Sequence, residues 1–226
     1  MKTQMTIGVS AFLVVLAASF TSTAFAFRTF PPHGRHATRL IPPAVPDKLE
    51  VPEGSRAFLL GQGIGTQNYI CMPNDSGFAW TFAGPQATLF NVRDRQNITH
   101  FLSPNPSEPS DNPFEEGIPR ATWQDSRDTS IVWAMAIASS SDPNFVKPDA
   151  IPWLLLEVVG TDTGPTGGNF LTRTTYIHRV FTTGGLVPTT GCDEATDVGT
   201  RAFVPYTADY FFYRATGREH GEAWSN

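Results

Sequence analysis

The sequence is poor in charge. Asp, Glu, Lys and Arg make up 16% of its 226 residues, and 16 basic against 21 acidic side chains leave a formal net charge of −5. Nucleic-acid binding needs clustered Lys and Arg to meet phosphates, so this balance excludes nucleic acid as a natural partner. The one basic cluster, His33, Arg35, His36 and Arg39, lies among Pro31, Pro32, Pro42, Pro43 and Pro46 and reads as an extended solubilising arm. Catalytic signatures are missing too. No Gly-x-Ser-x-Gly elbow follows the leader, and no P-loop is present. Gly61, Gly63 and Gly65 are followed by a second strand-like run rather than a helix, which excludes a dinucleotide fingerprint and marks a bulge or a close backbone approach. His33 and His36 are the only closely spaced pair of metal-ligand type, and no helix aligns them, so no metal and no cofactor is expected.

Long apolar runs are also scarce. The single one spans Ile7 to Phe20, after a lone Lys2 and before Ala24-Phe25-Ala26. Small-x-small after such a run is the form that signal peptidase reads, so residues 1–26 are expected to be a cleaved leader, with an uncleaved anchor as the alternative. There is no twin-Arg pair and no Cys near the cleavage site, which favours general secretion to the periplasm or the exterior. No later stretch is long and apolar enough to span a bilayer as a helix. Two cysteines survive cleavage, Cys71 and Cys192. In an oxidising compartment they invite a disulfide closing a loop of more than a hundred residues; two separate buried thiols are the alternative.

What the sequence does contain is β signal. Phe78, Trp80 and Phe82 alternate with small residues, which predicts a strand with an aromatic face toward a core. Ile131–Ala138 and Trp153–Val159 are apolar on both sides and read as central strands, with helix the alternative for the first. Phe170–Phe181 resumes the β pattern after a run of glycine turns. In Val204–Arg214 one face holds Val204, Tyr206, Ala208, Tyr210 and Phe212, and the other Thr207, Asp209, Phe211 and Tyr213. Four prolines among polar residues make Ser103–Gly117 a long surface loop, and Asp142–Ala150 is the place for a helical turn. With 19 Gly and 19 Pro and no long helical period, the expected fold is all-β: a single-domain, antiparallel β-sandwich or barrel-like fold. A proline-rich arm over residues 27–48 precedes the β domain at 49–214, and a frayed tail follows at 215–226.

Polar groups within apolar strands are the functional candidates, because a buried charge needs a partner or a task. Glu157, His178, Arg179 and Asp209 form a structural network on one reading, with Asp209 or Glu157 paired to Arg179. On the other, Asp209, Glu157, His178 and His100 line one pocket for acid–base chemistry on a sugar or ester, with Tyr206 a further catalytic candidate. Trp123, Trp153 and Tyr210 are candidates for stacking on a ligand. Asn97-Ile98-Thr99 matches a glycosylation acceptor, and the bacterial look of the leader makes it incidental.

Many pieces in order and spacing resemble one family. They include Thr66-Gln67-Asn68-Tyr69-Ile70-Cys71, Trp80-Thr81-Phe82, Gly84-Pro85-Gln86-Ala87, Thr99-His100-Phe101, Ala150-Ile151-Pro152-Trp153, Tyr176-Ile177-His178-Arg179-Val180, Gly191-Cys192-Asp193 and Val204-Pro205-Tyr206-Thr207-Ala208-Asp209-Tyr210. From about Leu49 to Arg214 the chain is similar to the DUF3455 family, secreted bacterial and fungal proteins of unknown function. The resemblance implies an extracellular or periplasmic location and a shared Cys pair at Cys71 and Cys192, and brings no catalytic residues. The chain departs from the pattern in the loop Ser103–Arg120, which separates His100 from Trp123, and in His178, where the family often has Gln. The expectation is therefore a secreted β domain that binds an extracellular ligand or a cell-surface polymer, carbohydrate or lipid. The alternative is a secreted hydrolase or lyase using Asp209 with Tyr206 and His100.

Overall fold

A computed structural model describes residues 40–91, 97–105 and 115–216. The leader, the basic cluster, most of the arm, the middle of the proline-rich loop and most of the tail lie outside the described residues.

Among the described residues eight antiparallel strands, each hydrogen-bonded to the next, close into a barrel when β8 pairs with β1. They are β1 (Ser55–Asn74), β2 (Gly77–Phe90), β3 (Asn97–Pro104), β4 (Pro119–Asp125), β5 (Ile131–Ser140), β6 (Trp153–Asp162), β7 (Tyr176–Gly184) and β8 (Arg201–Ala215). The all-β expectation is met in its barrel form. The sandwich is corrected, because closure leaves one continuous sheet with no free edge rather than two facing layers. No described helix is long and apolar enough to cross a membrane.

Alternation along β8 determines what lies inside. Tyr206, Ala208, Tyr210 and Phe212 enter the main core with Leu59, Leu89, Ile98, Trp123, Val132, Leu156 and Ile177. On β1, Gly61, Gly63 and Gly65 sit opposite Tyr210, Ala208 and Tyr206. A Cβ on Gly63 would stand 2.8 Å from the Tyr210 ring, and one on Gly61 2.9 Å from Leu89, so these glycines mark close approach and make room for large inward residues. The shifts in β1 register fall elsewhere, at Asn68/Tyr69 and at Ala57/Leu59.

The other face of β6, β7 and β8 is covered as well. Leu49 from the segment before β1, Val146 and Ala150 from the Asp142–Ala150 turn, and Trp153, Leu155, Val180, Phe211 and Tyr213 form a second, outer cluster. His178 ties it together: Nε2–H donates to the Leu49 carbonyl at 2.6 Å, and the Tyr213 hydroxyl donates to Nδ1 at 2.9 Å.

One end of the barrel is plugged by residues 163–175, whose Leu171 is fully buried in the main core. Asp128 holds this plug, its Oδ2 accepting Phe170 N–H at 2.7 Å and its Oδ1 accepting the Ser130 hydroxyl at 2.6 Å; Ser130 Oγ in turn accepts Leu171 N–H. The run Phe170–Thr174 is thus turn and plug, and the strand resumes only at Tyr176.

Two local expectations are corrected. Phe78, Trp80 and Phe82 do not face the core: they lie where β1 and β2 project at the opposite end, Phe82 is 49% exposed, and Trp80 donates from Nε1 to Thr190 O in the neighbouring loop. Ser103 and Pro104 belong to β3 rather than to a loop, and Asn105 and Glu115 are buried, because Asn105 N–H bonds Ile118 O and Glu115 pairs with Arg120.

Candidate functional site

At the end of the barrel opposite the plug, the interior is not filled. A cavity of about 230 Å³ is lined on its polar side by Gln67, His100, Trp123, Arg179 and Tyr210, and on its apolar side by Phe82, Leu102, Ala134, Met135, Leu154 and Leu156. Strand pairing explains the convergence. Trp123 lies beside His100, His100 beside Ala87, and Arg179 between Leu154 and Tyr210, so all point inward from adjacent strands.

His100 and Trp123 stack face to face, with ring centroids 4.2 Å apart and planes 7° from parallel. Tyr210 meets both rings edge-on, at 5.3 and 5.8 Å. His100 Nδ1 lies 2.9 Å from Thr122 O, a carbonyl that can only accept, so this nitrogen carries the proton and Nε2 keeps its lone pair. Burial lowers the His100 pKa to about 3, against the opposing pull of the Thr122 bond, and the nearby Arg179 charge lowers it further. The imidazole is therefore a neutral group at physiological pH and a feeble base.

Tyr206 and Tyr210 join through their hydroxyls at 3.0 Å. Burial, the largest cause in each case, raises both phenol pKa values, and the Arg179 charge opposes it. The guanidinium of Arg179 donates twice to Pro152 O, from Nη2 at 2.9 Å and from Nε at 3.3 Å. Among the described residues two buried donors in the cavity wall have no partner at good hydrogen-bond geometry: Trp123 Nε1, in a residue 0% exposed, and Gln67 Nε2, in a residue 3% exposed, although the Gln67 side chain lies near enough to the Tyr206 hydroxyl to lower its pKa. A second depression of about 570 Å³ runs between residues 40–51 and the outer face near His178 and Tyr213, and holds no unpartnered buried polar atom among the described residues.

Of the residues picked out from sequence, the fold brings His100, Tyr206, Trp123 and Tyr210 together inside the barrel. It separates the others. Asp209 sits between inward-facing Ala208 and Tyr210, so it points outward beside Gln62, and burial raises its carboxyl pKa while a hydrogen bond with Gln62 lowers it. His178 is outside as well, locked between Leu49 and Tyr213, with its pKa lowered first by burial. Glu157 pairs with Met135 and Tyr176 at the level where its neighbour Leu156 turns inward, so it too faces out. Trp153 belongs to the outer cluster, wedged between Phe145 and Phe181 at 5.8 and 5.3 Å. No constellation of Asp209, Tyr206 and His100 exists, because the sheet runs between the first and the other two. Neither Asp209 nor Glu157 pairs with Arg179; the ion pair seen in this part of the barrel is Glu115–Arg120 at the mouth, with Nη2 2.6 Å from Oε1.

Gln67 is the residue that sequence reading missed. It continues the inward parity of Gly61, Gly63 and Gly65, and that parity was the available signal. Arg179 was weighed only as a partner for a carboxylate. No group of three or more His, Cys, Asp or Glu among the described residues is placed to hold a metal.

The staple expected from Cys71 and Cys192 is formed, with Cα atoms 5.5 Å apart. It joins β1 to the loop between β7 and β8, beside the cavity end of the barrel. Comparisons with curated proteins and with solved structures gave no match. Residues 52–214 match the family described as "Protein of unknown function (DUF3455)", which is most of the chain, and the protein belongs to that family.

Proposed function

We propose that this is an exported binding barrel, whose interior cavity takes one small organic molecule carrying a hydrogen-bond acceptor. The observation that carries this reading is the pair of buried, unpartnered donors, Trp123 Nε1 and Gln67 Nε2, in the wall of a cavity with an apolar opposite side. An unmatched buried donor costs about 1–3 kcal/mol, and native folds keep few of them. A ligand acceptor that reaches both removes that cost on binding, which is how a mostly apolar pocket gains orientation and selectivity. Export is supported by the leader sequence and by the disulfide, which persists in oxidising compartments. The acid–base reading has less behind it, since Asp209 faces away from the cavity and His100 is a poor base.

The test is a thermal-shift and fluorescence titration of the oxidised, leaderless protein with small aliphatic and aromatic alcohols, amides and acids. At a ligand concentration of about 100 Kd, binding adds about 2.7 kcal/mol of stability. Ala136→Trp, at an exposed position beside Leu156 in the cavity lining, should leave the melting temperature within error and abolish the shift. If no compound shifts the wild type, or if the shift persists in Ala136→Trp, the reading fails. Trp123→Phe supplies a second arm. It removes the unpartnered N–H and keeps an aromatic ring against His100, so it should change stability by less than about 1.5 kcal/mol while weakening ligand affinity severalfold.

A further inference from the structure

Inside the barrel sits one positive charge that the fold leaves unbalanced. Arg179 faces inward between Leu154 and Tyr210, and no carboxylate among the described residues lies within ion-pairing distance of it. The other cation in the cavity lining, Arg120, is already paired with Glu115. Around the guanidinium stand the Tyr69, Tyr206 and Tyr210 hydroxyls. Burial raises the pKa of all three, so they remain neutral and provide no countercharge. His100 is neutral too. Pro152 O takes two of the five guanidinium N–H groups and the Tyr210 hydroxyl engages the group as well, which leaves at most two N–H groups for another acceptor. A charge taken out of water costs several kcal/mol unless it meets an opposite charge in good geometry, and the planar fork of arginine suits a carboxylate.

Resting on the pocket reading above, we propose that the natural ligand is a small monocarboxylic acid, its carboxylate held at Arg179 and its apolar body against Leu102, Ala134, Leu154 and Leu156. A single guanidinium balances a single negative charge; a phosphate dianion would bury an excess charge and is disfavoured. Gln67 Nε2 and Trp123 Nε1 are the further donors that a carboxylate, with about four lone-pair sites, has the capacity to satisfy. The volume of about 230 Å³ is below the roughly 300 Å³ at which pockets for drug-sized ligands begin, so the body is a short aliphatic chain or a single ring.

Calorimetric titration of the oxidised, leaderless protein with hexanoate, hexanamide, hexylammonium and inorganic phosphate tests this. Hexanoate should bind at least about tenfold more tightly than hexanamide, with hexylammonium and phosphate weaker still. In Arg179→Gln the preference of hexanoate over hexanamide should vanish, and Arg179→Lys should restore it only in part, because a point charge replaces the fork. Should Arg179→Gln fail to fold, the ranking on the wild type decides. If hexanamide or hexylammonium binds the wild type as tightly as hexanoate, and Ala136→Trp still blocks it, the carboxylate assignment is overturned while the cavity site stands. Phosphate binding as tight as hexanoate overturns it as well. If none of the four binds, the carboxylate assignment falls, and the titrations with alcohols and aromatic compounds decide whether the site falls too.

Discussion

Exchanging Cys71 and Cys192 together for alanine should lower the stability of the protein by up to about 5 kcal/mol. The bond spans 121 residues of sequence, and in the chain-entropy account a loop of that length restricts the unfolded ensemble by about 4.7 kcal/mol. Native anchoring of both ends makes the full effect accessible. Cys71 is completely buried, its N–H donates to Thr200 O, and its carbonyl accepts from Gly199 N–H, so this end of the loop is already part of the fold. Cys192 is 7% exposed in a loop that Trp80 also holds, through Thr190. For a domain of this size each kcal/mol shifts the midpoint by about 2–4 °C, so the melting temperature should fall by roughly 10–20 °C. Urea melts of the oxidised protein, the reduced protein and the double variant measure it. Coincident curves for all three would mean that the bond adds nothing and that local packing alone holds the loop.

Acid should destabilise the barrel through His100. Its native pKa is about 3 because burial opposes the charged form, whereas the unfolded chain titrates near 6.5. Below pH 6.5 the unfolded state takes up a proton that the native state refuses, so stability falls as pH falls, and the loss levels off below about pH 3. At 1.36 kcal/mol per pKa unit the whole span is worth about 4–5 kcal/mol. His178 has a lowered pKa of the same sign and adds to the slope in the same window, and carboxylates contribute at the acid end. Comparison with His100→Gln isolates the effect. The amide preserves a donor for Thr122 O but does not titrate, so the variant should lose less stability than the wild type between pH 7 and pH 4. Parallel stability–pH curves for the two would show that the imidazole is not held neutral in the native barrel.

The division between these two histidines shows how much was legible in advance. His178 and His100 both stand in apolar runs, and composition alone made both candidates. One faces out and the other in, yet both are buried, because the segment before β1 and the Asp142–Ala150 turn cover the outer face of β6–β8. Where both faces of a strand are dry, apolar neighbours no longer reveal which side faces the interior. In β8 the alternation was plain, and the inward set Tyr206, Ala208, Tyr210 and Phe212 follows it residue by residue. Asp209 was read from the same pattern as lying on the opposite face, but grouping it with Tyr206 and His100 required a fold in which the two faces meet. The barrel keeps them apart. Trp123 and His100 were separated by an unusually long loop in the chain, and they stack nonetheless, because the pairing of β3 with β4 places them side by side at any loop length.

By itself the amino-acid sequence determined the all-β character, the family, the pair of cysteines available to bond, and the alternate glycines of β1. These are local facts: side-chain alternation, turn chemistry, and glycine at every second place. Tertiary structure alone decided that β8 returns to pair with β1, and hence that the sheet is closed rather than split into two layers. Closure is a contact between the two ends of the domain, and no local pattern encodes it. That closure also aimed Arg179 at a neutral, donor-lined cavity instead of at Asp209, since charges find or miss their partners through distances that exist only after the strands have registered.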